Sequence, residues 1–286
     1  MDIQRVGVVG CGLMGSGIAE AAARAGLDVR VVDLDLASLE RGRERIRGSI
    51  ARAQKAGKLS EPDAGTAIAR IEYAADIGSL SDRQLVIEAV VESELEKVTV
   101  FEMLDKVVEA PDAVLASNTS SIPIMKLAMA TGRPSQVMGI HFFNPVPVLP
   151  LVELVTSLLT SDETVQTAQR FATEQLGKQV IRSQDRAGFI VNALLIPYIL
   201  SAVRMLESGF ATADDIDLGM VKGCAHPMGP LALADLIGLD TTMAVANSLY
   251  QEFKEPLYAP PPLLARMVEA GLLGRKSGRG FYDYKA

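Results

Sequence analysis

The chain reads as a two-part α/β protein, a doubly wound sheet followed by an all-helical domain, and three observations carry that expectation. Short apolar strand patterns alternate with helical segments as far as about residue 185. A glycine-rich turn joins the first strand to the first helix. Beyond "RSQDRAG" the strand signal fades and helical periodicity takes over.

The first strand is "RVGVV", the helix after it is "SGIAEAAARAG" with Gly26 as its C-terminal cap, and a second strand, "DVRVV", leads to Asp33. That is a βαβ unit. Residues 37–70 interrupt the alternation with a polar, helical stretch that reads as a helical hairpin inserted into the sheet domain. Further strands follow in "LVIEAVV", "AVLAS", "QVMGIHFF" and "LVELV". The sheet domain is expected over 1–184 and the helical domain over 185–286, with a long helix from about Phe189 and others starting near Thr212, Leu231 and Thr241. Thr212 and Asp215 have capping-box spacing, and "APPPLL" reads as a local turn.

Composition narrows the function classes. A net charge of −7 without long basic runs argues against nucleic acid as the main partner. The longest apolar run, residues 187–203, is interrupted by Asn192 and Pro197, so a buried or interface helix is expected and no membrane partner. Two cysteines without metal-ligand spacing imply no metal and a reducing compartment, and no export signal is read at the start, so the expected location is cytoplasmic. Apolar residues make up 49% of the chain, which suggests surface covered by a second subunit.

"GCGLMG" places Gly10, Gly12 and Gly15 at G-x-G-x-x-G spacing between strand and helix. The first permits a tight turn, the second lets backbone approach a pyrophosphate, and the third brings helix onto sheet. With Leu13 and Met14 they open a helix whose N-terminus favours phosphate. This is a Rossmann-type unit. Asp33 lies where a carboxylate accepts ribose hydroxyls, and Asp35 adds a second negative charge, so NAD is expected over NADP.

His141, one of only two histidines, stands in an apolar strand, and Glu153 stands in another twelve residues on. A buried carboxylate needs a partner. If the strands are neighbours, Glu153 accepts a proton from one ring nitrogen and the other is left to move a proton, as alcohol dehydrogenation requires. "SNTSS" offers Asn118, Thr119, Ser120 and Ser121 at a strand's carboxyl end, without selecting among them.

Taken together, "GCGLMGSGIA", "EAVVE", "SNTSS", "HFFNPVP", "LVELV", "GFIVN", "HPMGPLALAD" and "GRKSGRGFYDY" resemble the 3-hydroxyacyl-CoA dehydrogenase family in its short, single-function form, along the whole chain. The resemblance implies NAD-dependent oxidation of an L-3-hydroxyacyl-CoA to the 3-ketoacyl-CoA, or the reverse on acetoacetyl-CoA. It assigns His141 as the catalytic histidine, Glu153 as its partner, and Ser120 and Asn192 to the reacting oxygen. It places Ala89, Glu92, Lys97, Ser120 and Asn144 along the nicotinamide half of the cofactor, and implies a homodimer through the helical domain. It also puts Lys55 and Lys58 on CoA, and the hairpin carries Arg41, Arg43, Arg45, Arg47 and Arg52 besides. Cys11, Ala193 and Pro150 depart from the family pattern, where alanine, arginine and lysine are usual. Two other readings stay open: a related hydroxy-acid or sugar-acid dehydrogenase without CoA specificity, and a non-catalytic nucleotide-binding protein.

Overall fold

The computed structural model describes residues 2–284, in two compact units, the first ending at Arg186 and the second beginning at Ala187. In the first, β1 (Arg5–Val9), α1 (Leu13–Arg24) and β2 (Asp28–Val32) form the expected βαβ unit. The chain continues through α2 (Leu36–Lys55), α3 (Glu61–Ala69), β3 (Ile71–Ala74), β4 (Leu85–Glu88), α4 (Glu94–Val107), β5 (Val114–Ser117) and α5 (Ile124–Met129). It ends with β6 (Val137–Phe142), β7 (Leu151–Thr156), α6 (Asp162–Arg170) and β8 (Gln179–Gln184). The eight strands form one sheet in the order β3-β2-β1-β4-β5-β6-β7-β8. All neighbours are parallel except β6 and β7.

Strand composition follows position in the sheet. Every residue of β4, β5 and β6 is buried, as in a parallel sheet covered on both faces. The strands that the sequence reading did not name, β3 ("IEYA") and β8 ("QVIRSQ"), are the two edges, with one exposed side and mixed composition. α1 stops where expected: Gly26 has φ +91°, its N–H donates to Ala23 O, and Leu27 N–H donates to Ala22 O.

The inserted hairpin is α2 and α3. Asp35 caps the first by accepting from Ser38 N, and Ser60 caps the second by accepting from Asp63 N. Leu39, Ile46 and Ile50 of α2 and Ala64 and Ala67 of α3 join Ile18, Ala19 and Ala22 of α1 in the core. The close approach has a specific cause. A Cβ at Gly42 would fall 1.9 Å from Cys11 Sγ, so the thiol that departs from the family pattern is accommodated by a glycine on α2.

The first unit ends after Arg186 rather than after residue 184. Asp185 belongs to it because its carboxylate accepts from Ile124 N and Met125 N, both at 2.7 Å, holding the start of α5.

The second unit is helical, with α7 (Val191–Glu207), α8 (Ala213–Gly223), α9 (Pro230–Ile237), α10 (Leu239–Phe253) and α11 (Pro262–Glu269) around Ile199, Leu200, Leu231, Ala246 and Leu249. Thr212 caps α8: its Oγ1 accepts from Asp215 N and donates to Asp215 Oδ2. The expectation that "APPPLL" is only a turn is corrected, since Pro262 opens α11. A proline is favoured there because first-turn N–H groups have no helical acceptor. Among the described residues no helix is long and apolar enough to cross a membrane.

Candidate active site

The three loop glycines answer different constraints. Gly10 has φ +98°, and a Cβ on it would meet Ala89 O at 2.6 Å. A Cβ at Gly15 would fall 1.8 Å from Gly10 O. At Gly12 a Cβ would meet nothing within 4 Å. Two of the glycines are therefore required by the protein's own packing, and the third leaves open a space beside the first turn of α1, where Leu13 is exposed and Met14 half-buried. The loop has the shape that close approach of a dinucleotide phosphate needs.

Asp33, directly after β2, accepts from Cys11 N at 2.6 Å through Oδ2 and from Leu34 N at 2.7 Å through Oδ1. It ties the glycine loop to the strand, and each carboxylate oxygen retains capacity to accept from a ribose hydroxyl. Bonds from Ser38 hold the Asp35 carboxyl below the usual carboxylate range. Its charge therefore persists beside Asp33. Burial raises the Cys11 thiol pKa, which disfavours thiolate there.

The hairpin offers less free positive charge than its composition suggests. Arg45 Nη1 donates to Cys11 O at 2.9 Å, Arg43 pairs with Glu40 at 3.2 Å and lies over the Tyr73 ring, and Arg41 donates to Ser38 Oγ. Lys55, at the end of α2, and Lys58, in the turn beyond it, are exposed. Arg45 and Ser49 of α2, Ser16 of α1 and Asn144 to Pro147 line one groove of the first unit.

Because β6 and β7 are antiparallel, His141 and Glu153 are direct register partners. The ring Nδ1 lies 2.7 Å from Glu153 Oε2, with the glutamate fully buried. Ser120 Oγ is 3.1 Å from Nε2. The three side chains come from β6, β7 and the loop after β5, and Phe143 meets the imidazole edge-on with centroids 4.7 Å apart. Asn118, left open by the sequence, accepts from Phe142 N at 2.8 Å and so pins its loop to β6.

Glu92 and Lys97 meet at the same end of the sheet. Glu92 Oε1 accepts from Thr119 Oγ1 at 2.5 Å, Ser120 N at 2.9 Å, Ser121 Oγ at 3.0 Å and Ser121 N at 3.2 Å. Burial pushes its pKa up, but the Lys97 ammonium and these donors outweigh burial and hold the carboxyl below its ordinary range. Lys97 is 1% exposed and bonds Glu88 Oε1 at 2.6 Å. Glu88, fully buried, was missed from the sequence. Its signal was present, since a carboxylate in an apolar strand is the same clue that singled out Glu153.

Ala89 extends β4 beside Gly10, and Asn144 is exposed after β6. Asn192 belongs to the second unit, in the first turn of α7 with part of its surface exposed. Burial therefore does not account for a polar residue there. His226, also in the second unit, has Nδ1 3.1 Å from Tyr198 OH.

A glycine loop at the reversal of strand order and a histidine–carboxylate pair on the same sheet belong to a nicotinamide-dependent oxidoreductase. Residues 5–186 match the 3-hydroxyacyl-CoA dehydrogenase NAD-binding domain, and residues 188–284 match the C-terminal domain of the same enzymes. The chain is 60% identical over 282 residues to 3-hydroxybutyryl-CoA dehydrogenase of Mycobacterium tuberculosis, covering 99% of each. The crystal structure of M. tuberculosis FadB2 superposes with a TM-score of 0.99 at 59% identity, covering 100% of both chains. That of (S)-3-hydroxybutyryl-CoA dehydrogenase PaaH1 from Ralstonia eutropha gives 0.94 at 46%, again covering 100% of both. The chain belongs to the 3-hydroxyacyl-CoA dehydrogenase family, and its cofactor is NAD.

Proposed function

We propose that the protein interconverts an L-3-hydroxyacyl-CoA and its 3-ketoacyl-CoA, that the substrate is 3-hydroxybutyryl-CoA, as the names of its relatives indicate, and that His141 carries the proton. The observation that carries this reading is the placement of His141 between Glu153 at Nδ1 and the Ser120 hydroxyl at Nε2. With Glu153 accepting the Nδ1 hydrogen, Nε2 is the nitrogen that takes a proton from the substrate hydroxyl in oxidation and returns it in reduction. When it does, the buried carboxylate balances the imidazolium formed. Ser120 orients the reacting oxygen.

The open space at Gly12 fits a dinucleotide: the loop and α1 would hold its phosphates, Asp33 its ribose, and Ala89, Glu92 and Asn144 its nicotinamide half. Bound there, NAD supplies the hydride acceptor for oxidation. Lys55 and Lys58 are read as contacts to the CoA phosphates, supported by their exposure at the end of the hairpin. The chain is further read as a cytoplasmic homodimer. Two free thiols support the reducing compartment, and exposed Leu194, Phe210 and Leu218 in the second unit support the dimer.

The test is reduction of acetoacetyl-CoA, with free acetoacetate as the competing substrate and NADH against NADPH. The thioester with NADH is expected to be strongly preferred. His141→Gln should lower kcat by roughly 10²- to 10⁴-fold while NADH binding, followed by fluorescence, is retained. Near-normal turnover of the variant would overturn the role of His141, and equal use of free acetoacetate would overturn the CoA reading.

A further inference from the structure

The loops after β4 and β5 hang from a buried carboxylate that the proposed chemistry does not use. Glu88 Oε1 accepts from Lys97 Nζ at 2.6 Å and from Val90 N at 2.7 Å, and Oε2 accepts from Ser117 Oγ at 2.6 Å. The Ser117 hydroxyl accepts in turn from Thr119 N at 3.1 Å. Thr119 Oγ1 donates to Glu92, and Glu92 gathers the Ser120 and Ser121 amides. Lys97 closes the circuit, reaching Glu92 Oε2 at 3.3 Å and Val90 O at 3.5 Å besides Glu88. Its ammonium thus hydrogen-bonds Glu88 and the Val90 carbonyl and is ion-paired with Glu92.

We infer that Glu88 is a positioning residue: with Lys97 as its counter-ion it fixes the loops after β4 and β5 against each other, and thereby holds the Ser120 hydroxyl at His141 Nε2. The inference rests on the reading of His141 as proton carrier. It also gives Lys97, read from the family resemblance as a cofactor contact, the role of the buried cation that joins two carboxylates. The physical case is one of burial. Glu88 and Lys97 are 0% and 1% exposed, so neither charge is tolerated without the other, and partners of this kind are strong because water does not compete for them. A serine hydroxyl on a loop is rotationally free. Here its backbone N–H is clamped by Glu92, and Glu92 is clamped by the cation that Glu88 fixes.

The test is a double-mutant cycle of Glu88→Gln with Ser120→Ala, using kcat and KM for acetoacetyl-CoA on enzyme titrated for active sites. Glutamine keeps the shape and removes the charge. Glu88→Gln alone is expected to lower kcat roughly tenfold with KM for acetoacetyl-CoA nearly unchanged, as for a misplaced catalytic group. In the Ser120→Ala background the same substitution should have no further effect, because the hydroxyl it positions is gone. Independent, multiplicative losses would mean that Glu88 supports the fold generally, and would overturn the inference. So would an unaffected Glu88→Gln, or a Ser120→Ala enzyme with normal kcat. In the last case His141→Gln, measured separately, still decides the proton-carrier reading. If Glu88→Gln does not fold, Ser117→Ala removes one bond from the same carboxylate and enters the same cycle, with the same two outcomes.

Discussion

The two halves of the sheet build their share of the site by opposite means. Around β1, α1 and β2 the working surface is backbone: Gly10, Gly12 and Gly15 act by lacking side chains, and the carboxylate of Asp33 is spent partly on holding the loop. From β4 to β7 the surface is side chain. His141, Glu153, Ser120, Glu92, Lys97 and Glu88 are held by hydrogen bonds between groups distant in sequence. A backbone site depends on local conformation and steric clearance, so its weakness is added volume. A side-chain network depends on charge and register, so its weakness is a lost partner.

Breaking the side-chain half should have the largest effect on turnover. Glu153→Gln removes the charge that balances the imidazolium, and kcat should fall by roughly 10²- to 10⁴-fold, the range expected for loss of acid–base function. The loss should appear in kcat with cofactor affinity kept. A change confined to KM would show that the pair does not act as a unit.

The backbone half is probed by contrast within one loop. Gly15→Ala drives a Cβ into Gly10 O and should destabilise the protein by about 1–3 kcal/mol, read as a lowered Tm. Gly12→Ala has open space and should leave the stability of the cofactor-free protein, read through its Tm, within about 0.5 kcal/mol of the parent while weakening NADH binding. Similar Tm values for both, or unchanged NADH affinity in Gly12→Ala, would remove the distinction between the two glycines.

The smallest effect is electrostatic. Glu92 has its folded-state pKa lowered, so its stabilising contribution is fully present above the ordinary carboxylate value. That contribution is lost as pH falls through the depressed folded value. The parent's Tm should therefore fall more steeply than that of Glu92→Gln on acidification through the carboxylate range. Parallel curves would show that Glu92 contributes nothing through its charge, and with that the clamp on the Ser120 loop would lose its electrostatic basis.

Much of the fold was legible because buried parallel strands and amphipathic helices write their periods into short stretches. β1, α1 and β2 follow this rule, as do the hairpin and the buried strands. β3 and β8 escaped because edge strands carry mixed residues, and α11 escaped because three consecutive prolines look like a turn until one is seen at a helix start. The site divides in the same way. The glycine loop was readable residue by residue, and His141 and Glu153 were readable as a pair on the condition that their strands were neighbours. Ser120 could not be chosen from "SNTSS" without family resemblance, because all its members are small and polar and only position relative to the ring separates them.

By itself the sequence determined the local conformations, the apolar core and the chemistry available, since these follow from side-chain type and spacing over a few residues. The tertiary structure decided which groups meet. It set β7 antiparallel to β6, so that Glu153 faces His141, and it engaged Arg43 and Arg45 internally where composition had suggested free charge. It also brought Glu88, Lys97, Glu92 and the Ser120 loop into one network. The reason is that burial and register are properties of the packed sheet: the same carboxylate is solvated on a helix face and in need of a partner inside it, and its spacing in the chain does not say which.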